Sequence, residues 1–217
     1  MLSAESPIIR LAGTGLLNTI SDTYIGGAPA GSGDLAGSQY AGQLGKILPV
    51  GSDSIGVLTD TGVGTLFAGA YQYVRRRATD DDSPALAPGK IAFWDTVVSS
   101  FQTAYQVTTD ENLSSSDNAV MIAGIFIGNI QPDEYGFIQI LGEVYVRFRS
   151  VLTAAGAIGS RVYAAGAGDT GADQGTADVL TTDSTSLANA RFLGVAIEAP
   201  TGGSLSRIFL RPTNSML

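Results

Sequence analysis

The chain has 217 residues, of which 44% are hydrophobic and 15% charged, and carries a formal net charge of -8. A chain of this size can bury a substantial core, but its acidic balance argues against nucleic-acid backbone as a partner, because phosphate binding needs clustered cations. It contains neither cysteine nor histidine, which removes disulfides, thiolate metal sites, Ser-His-Asp and Cys-His catalysis and the usual general base near neutral pH.

From Met1 to Leu66 the sequence is rich in glycine and small residues, with apolar islands at Ile8 to Leu11, Leu16 to Ile20, Ile47 to Val50 and Ile55 to Leu58. No apolar periodicity lasts long enough there to build a core. Two arrangements fit: an extended arm docked on a partner surface, or short strands folded back on the same domain. From Phe67 onward strand signals recur at Tyr71 to Arg75, Lys90 to Trp94, Thr103 to Thr108, Val120 to Ile127, Phe137 to Phe148, Arg161 to Ala164, Phe192 to Ile197 and Arg207 to Arg211. Turn clusters rich in Gly, Pro, Asp and Ser separate them, which predicts an all-β antiparallel sandwich or small barrel over residues 67–217. The longest apolar stretch, Val120 to Ile127, is too short to span a bilayer, and the N-terminus lacks a basic start with an apolar run. The expectation is a soluble protein made and used without secretion and without membrane contact.

The segment Tyr135 to Arg149 holds the clearest pattern. Ile138, Ile140, Gly142, Val144, Val146 and Phe148 share one parity, while Gln139, Glu143, Arg147 and Arg149 lie among Leu141 and Tyr145 on the other. That is the period of a half-buried strand. A hairpin at Gly142 would interrupt the parity, so one long strand is predicted in which this glycine marks a bend or a close backbone approach. Ile138, Ile140, Val144, Val146 and Phe148 are the predicted core, and Glu143, Tyr145, Arg147 and Arg149 the outward face.

Gly166 to Asn189 is poor in bulky apolar residues and reads as a long loop with a short helix near Ser186 to Ala190. Its Gly166-Ala167-Gly168-Asp169-Thr170-Gly171 matches a dinucleotide-binding pattern, but no helix with an apolar face follows. Asp169, Asp173 and Asp178 in the same loop offer oxygen ligands without calcium-loop spacing, so solvated carboxylates and no bound metal or cofactor are expected. Arg75-Arg76-Arg77 followed by Asp80-Asp81-Asp82 is either an electrostatic docking edge or a solvated turn whose charges neutralise one another. Asp133-Glu134, Asp110-Glu111 and Glu143 are the carboxylates a glycosidase would recruit, although adjacent acids after Pro132 suit a loop tip better. The chain is expected not to be an enzyme. Tyr71, Tyr73, Phe93, Trp94, Phe101, Tyr105, Tyr135 and Phe137 could line a sugar platform, or be core and interface aromatics.

The order of Tyr71-Gln72-Tyr73-Val74-Arg75, Ala87-Pro88-Gly89-Lys90-Ile91-Ala92-Phe93-Trp94 and Thr108-Thr109-Asp110 resembles the capsid decoration, or cement, proteins of tailed bacteriophages. Ile130 to Gly142 and the closing pair Phe192 to Ala199 and Ser206 to Arg211 resemble that family's later strands. The resemblance covers about Phe67 to Arg211, and the first 66 residues depart from its compact members. It implies a β-tulip-like domain on the outside of the virion, assembled in the host cytoplasm, that binds as a homotrimer across neighbouring major capsid subunits and stabilises the shell. On that reading Ile8, Ile9, Leu16 and Leu17 are candidate capsid anchors, and Tyr71, Tyr73, Arg75, Tyr145 and Arg147 candidate interface residues. The competing reading is a phage fibre or adhesin module that binds a glycan through the aromatics.

Overall fold

The computed structural model describes residues 28–29, 45, 47–50, 67–77, 88–95, 105–110, 121–128, 130, 132–165, 173–180 and 191–211. Within them, short β-branched and aromatic runs between turn residues form eleven strands: β1 (Ala28–Pro29), β2 (Ile47–Val50), β3 (Gly69–Arg76), β4 (Ile91–Trp94), β5 (Gln106–Thr108), β6 (Ile122–Phe126), β7 (Glu134–Arg147), β8 (Arg161–Ala164), β9 (Ala177–Val179), β10 (Phe192–Ala196) and β11 (Leu205–Leu210). No α-helix occurs among the described residues. The all-β expectation is met. Residues 8, 9, 16 and 17 lie outside the described part of the chain, as do the Asp80 to Asp82 run, the glycine motif at 166–171 and the helix expected near Ser186.

The strands join one sheet in the order β2-β3-β5-β4-β6-β7-β11-β10-β8-β9, with β1 on β7, and β3 also pairs with β7. The ladders β3–β5–β4–β6–β7–β3 therefore close into a ring of five strands. One of them corrects the antiparallel expectation, because β3 and β5 run parallel, with Arg75 opposite Gln106. Beyond the ring, β7 continues into β11, β10, β8 and β9, and Phe148 just past β7 bridges Ala177 in β9. The described pieces of the first 66 residues fold back on this sheet: Ile47 to Val50 pair with β3, and Ala28 and Pro29 with the start of β7.

β7 belongs to both halves. Tyr135 to Gly142 pair with β3, Ile138 and Gln139 also with β6, and Gly142 to Arg147 pair with β11. Gly142 sits at the hand-over with φ +103, and a Cβ there would drive into the Ala68 carbonyl oxygen and lie 2.9 Å from the Gly69 Cα. The single long strand and the close approach at Gly142 are as predicted.

The core is where the structure departs from the parity argument. All five core residues predicted in and just after β7 are buried, but they serve two clusters. Ile138 and Ile140 pack with Val74, Ala92, Trp94, Val107 and Phe126, all from the ring or its connections. Val144, Val146 and Phe148 pack with Phe137, from the opposite parity, and with Val162, Leu193, Ile208 and Leu210 of the second half. Two local events produce the switch: the left-handed backbone at Gly142, and a register irregularity that pairs Ala70 with Leu141 but Tyr71 with Gln139, so that Ile140 is bulged out of the ladder. Gln139, expected on the outward face, is buried instead. Its Nε2 donates to the carbonyls of Leu141 at 3.1 Å and Glu143 at 2.7 Å, on either side of the kink.

Candidate functional site

Immediately after β7 the chain reads Ser150-Val-Leu-Thr-Ala-Ala-Gly-Ala-Ile-Gly-Ser160, with no charge between Arg149 and Arg161. Several of its backbone groups are tied to the rest of the fold. The Asp173 carboxylate accepts from the Ser150 N–H and hydroxyl, each at 2.8 Å. The buried Asp178 carboxylate accepts from the N–H of Thr153 at 2.9 Å and of Val179 at 2.7 Å, and also from the Thr153 hydroxyl and Arg149. Ala154 N–H donates to the Val179 carbonyl, and Gly159 N–H to that of Ala196. Charge-assisted acceptors of this kind hold a loop more firmly than neutral ones. The Ser150 N–H is the main cause that keeps the Asp173 carboxyl below its ordinary range, opposed by some burial and helped by the Ser150 hydroxyl and by the Arg149 and Lys90 charges.

Leu152 and Ala154 turn inward against the core. Val151 and Ile158 turn outward, and each is 74% exposed. They are the most exposed of the large hydrophobic side chains among the described residues, and the segment that carries them is uncharged and tied to the fold at both ends.

The same pinning corrects two readings of the sequence. Ala177 to Val179, read as part of a long loop because Gly166 to Asn189 is poor in bulky apolar residues, form β9 against β8. Asp173 and Asp178, expected to be solvated, are the anchors of the 149–154 segment, and among the described residues no group of three acids or other ligands is placed to hold a metal ion.

A second surface is the outward face of β8, β10, β11 and β7. Cross-strand register puts Arg161 opposite Val195, Val195 opposite Phe209 and Phe209 opposite Glu143. Directly opposed residues point to the same side of a sheet, so these four form one row. Val195 is 37% and Phe209 49% exposed. At the acidic end Arg207 donates from Nη1 to Glu143 at 2.7 Å and from Nε to Glu198, whose carboxylates keep the guanidinium more firmly charged than usual. Tyr145 lies on this face with its ring 5.5 Å from that of Phe67, and Arg147 follows, half-buried, with its N–H on the Gly89 carbonyl.

The other candidates lie apart. Tyr71 and Tyr73 are 2% and 1% exposed and belong to the core, so they offer no surface to a partner. The Tyr71 hydroxyl donates to the Phe67 carbonyl at 2.6 Å, and burial pushes its phenol above the ordinary range. Arg75 is half-buried on Asp133, which turns at φ +65 ahead of β7. Arg76 is fully buried, donating to the Ile130 carbonyl at 2.8 Å, and Arg77 spans both oxygens of buried Asp95 at 3.0 and 2.9 Å. Arg76 and Arg77 are thus tied into the interior and Arg75 into a partly exposed pair with Asp133. Trp94 packs in the ring at 4% exposure with Tyr105 against it, and Phe93 and Phe137 are also interior. The sequence did not single out Val151, Ile158, Val195 or Phe209; an apolar pair within an otherwise small, uncharged loop was the signal available for the first two.

No protein-family model matches the chain, and no curated protein matches it in sequence. Among solved structures, it is similar to a chain described as the N base of the head fiber gp8.5 in bacteriophage phi29, with 15% identity over 68% of this chain and 96% of that one. The TM-score is 0.32, and a likeness at that level carries no functional information.

Proposed function

We propose that this chain is a structural protein of a tailed-phage virion that binds the outer surface of the assembled capsid and stabilises it by clamping neighbouring major capsid subunits. The observation that carries the reading is the pinned loop 150–160, which holds Val151 and Ile158 out in water. The sequence resemblance supports it, since its quoted segments from Tyr71 onward coincide with β3, β4, β7, β10 and β11.

Mechanistically the protein acts by mass action. It binds the assembled shell and not free subunits, so each occupied site stabilises the shell by its differential affinity, about 2.7 kcal/mol when the free protein is at 100 times its Kd. Full burial of one Val or Ile side chain supplies roughly 1.5–3 kcal/mol, so a single loop is a weak clamp and many symmetric copies are needed. The pinning lowers the entropy cost of ordering the loop on docking.

The test is co-sedimentation of the purified chain with expanded capsids, together with the disruption temperature of the decorated shells. Stoichiometric binding and a raised temperature are expected. Val151→Ser with Ile158→Ser should weaken binding at least about tenfold while leaving the protein's own unfolding midpoint within a degree or two. Absence of binding to any shell overturns the reading.

A further inference from the structure

The row Arg161, Val195, Phe209, Glu143 has a property independent of the capsid reading. One end carries a cation: Arg161 is exposed and its guanidinium has no hydrogen bond or ion pair among the described residues. The other end carries an excess anion, because Arg207 is shared between Glu143 and Glu198, leaving one net negative charge. Between them stand Val195 and Phe209, side by side and substantially exposed. With strands about 4.8 Å apart the row spans roughly 14 Å.

From this pattern we propose that the face pairs with the same face of a second copy about a two-fold axis running along the strands between the two sheets. That rotation reverses the row, placing Arg161 of each copy over Glu143 of the other and Val195 over Phe209. A two-fold axis along the row would instead stack Arg161 on Arg161 and Glu143 on Glu143, which like-charge repulsion disfavours. The charge order thus selects both the occupant and the symmetry. The face is small beside a standard interface, so the dimer is weak, with a Kd in roughly the micromolar range. The sequence resemblance implies a trimer; the row fits a pair.

Sedimentation equilibrium and light scattering on the full chain test this. A concentration-dependent dimer is expected, weakened by added salt. Arg161→Glu or Glu143→Lys alone should weaken it at least tenfold, as should Phe209→Ser, with the circular dichroism of the fold retained in all three and the unfolding midpoint unchanged in Arg161→Glu, whereas Glu143→Lys, which loses the Arg207 pair, and Phe209→Ser lower it slightly. The decisive arm mixes Arg161→Glu chains with Glu143→Lys chains. In a two-fold pair both reciprocal contacts then become attractive again, so the mixture should dimerise near the wild-type Kd while neither variant does alone. A trimer, a monomer up to about 100 μM, or a mixture that fails to associate overturns the proposal. So does a wild-type dimer indifferent to Phe209→Ser. Loss of shell binding without any effect on self-association would assign the face to the shell and equally overturn it. Failure of the capsid reading is seen separately, in sedimentation with shells of chains altered at Val151 and Ile158.

Discussion

Gln139 carries more of the fold than its polar character suggests. Its amide satisfies the carbonyls on both sides of the β7 kink while its own side chain is buried. Gln139→Leu keeps the volume but removes the donor from two acceptors, so a loss of about 1–3 kcal/mol is expected from urea unfolding. A loss below about 0.5 kcal/mol would mean the carbonyls find other partners. Asp173 makes a pH-dependent contribution of the opposite visibility, at the surface. Its folded carboxyl lies below the ordinary range, so its tie is fully present above the unfolded value near 4 and is lost as pH falls through the lower folded value. The Ser150 amide resonance should therefore hold constant from pH 8 to about 5 and move only in more acidic solution. Asp173→Asn should abolish that titration.

Among the elements, β7 couples the ring to the second half through one glycine. Gly142 has both a left-handed φ and no room for a Cβ, whereas Gly159, at φ +86, faces open space. Gly142→Ala should cost upwards of about 2 kcal/mol, combining strain with a backbone clash, and Gly159→Ala only about 1 kcal/mol from strain. Equal losses in denaturant titrations would remove the steric part of the argument. The parallel β3–β5 ladder is reinforced at its end, where Asp95 after β4 accepts from Arg77 after β3 and from Gln106 of β5. Asp95 is fully buried. Asp95→Ala leaves both donors without that acceptor and should destabilise by roughly 3 kcal/mol, read as a lowered unfolding midpoint.

For the whole molecule, loop 150–160 runs into the β8-β10-β11-β7 face, where Gly159 donates to the Ala196 carbonyl of β10, but the two carry separate proposed occupants. A double dissociation follows. Val151→Ser with Ile158→Ser should impair shell binding and leave self-association intact, while Phe209→Ser should do the reverse. Crossed effects in sedimentation would show that one surface serves both roles. Neither surface requires the aromatic platform of the glycan reading, since Tyr71, Tyr73, Phe93, Trp94 and Phe137 are interior.

The all-β class, eight of the strands to within a few residues, the single long β7 and the need for glycine at 142 were legible in the chain alone. Those are local properties, set by side-chain period and by the conformations that only glycine tolerates. Folding in three dimensions was needed to establish that β7's one apolar parity feeds two cores, that Gln139 turns inward, and that Ala177 to Val179 form a strand around a buried aspartate. It also decided that Arg76 and Arg77 turn to buried acceptors while Arg75 pairs with Asp133 nearer the surface. Each depends on long-range register and on which distant backbone group lacks a partner, and neither is encoded in the period of a segment. The candidate surfaces were hidden for the same reason: Val195 and Phe209 are ordinary strand residues until four strands align them in one row between an arginine and a glutamate.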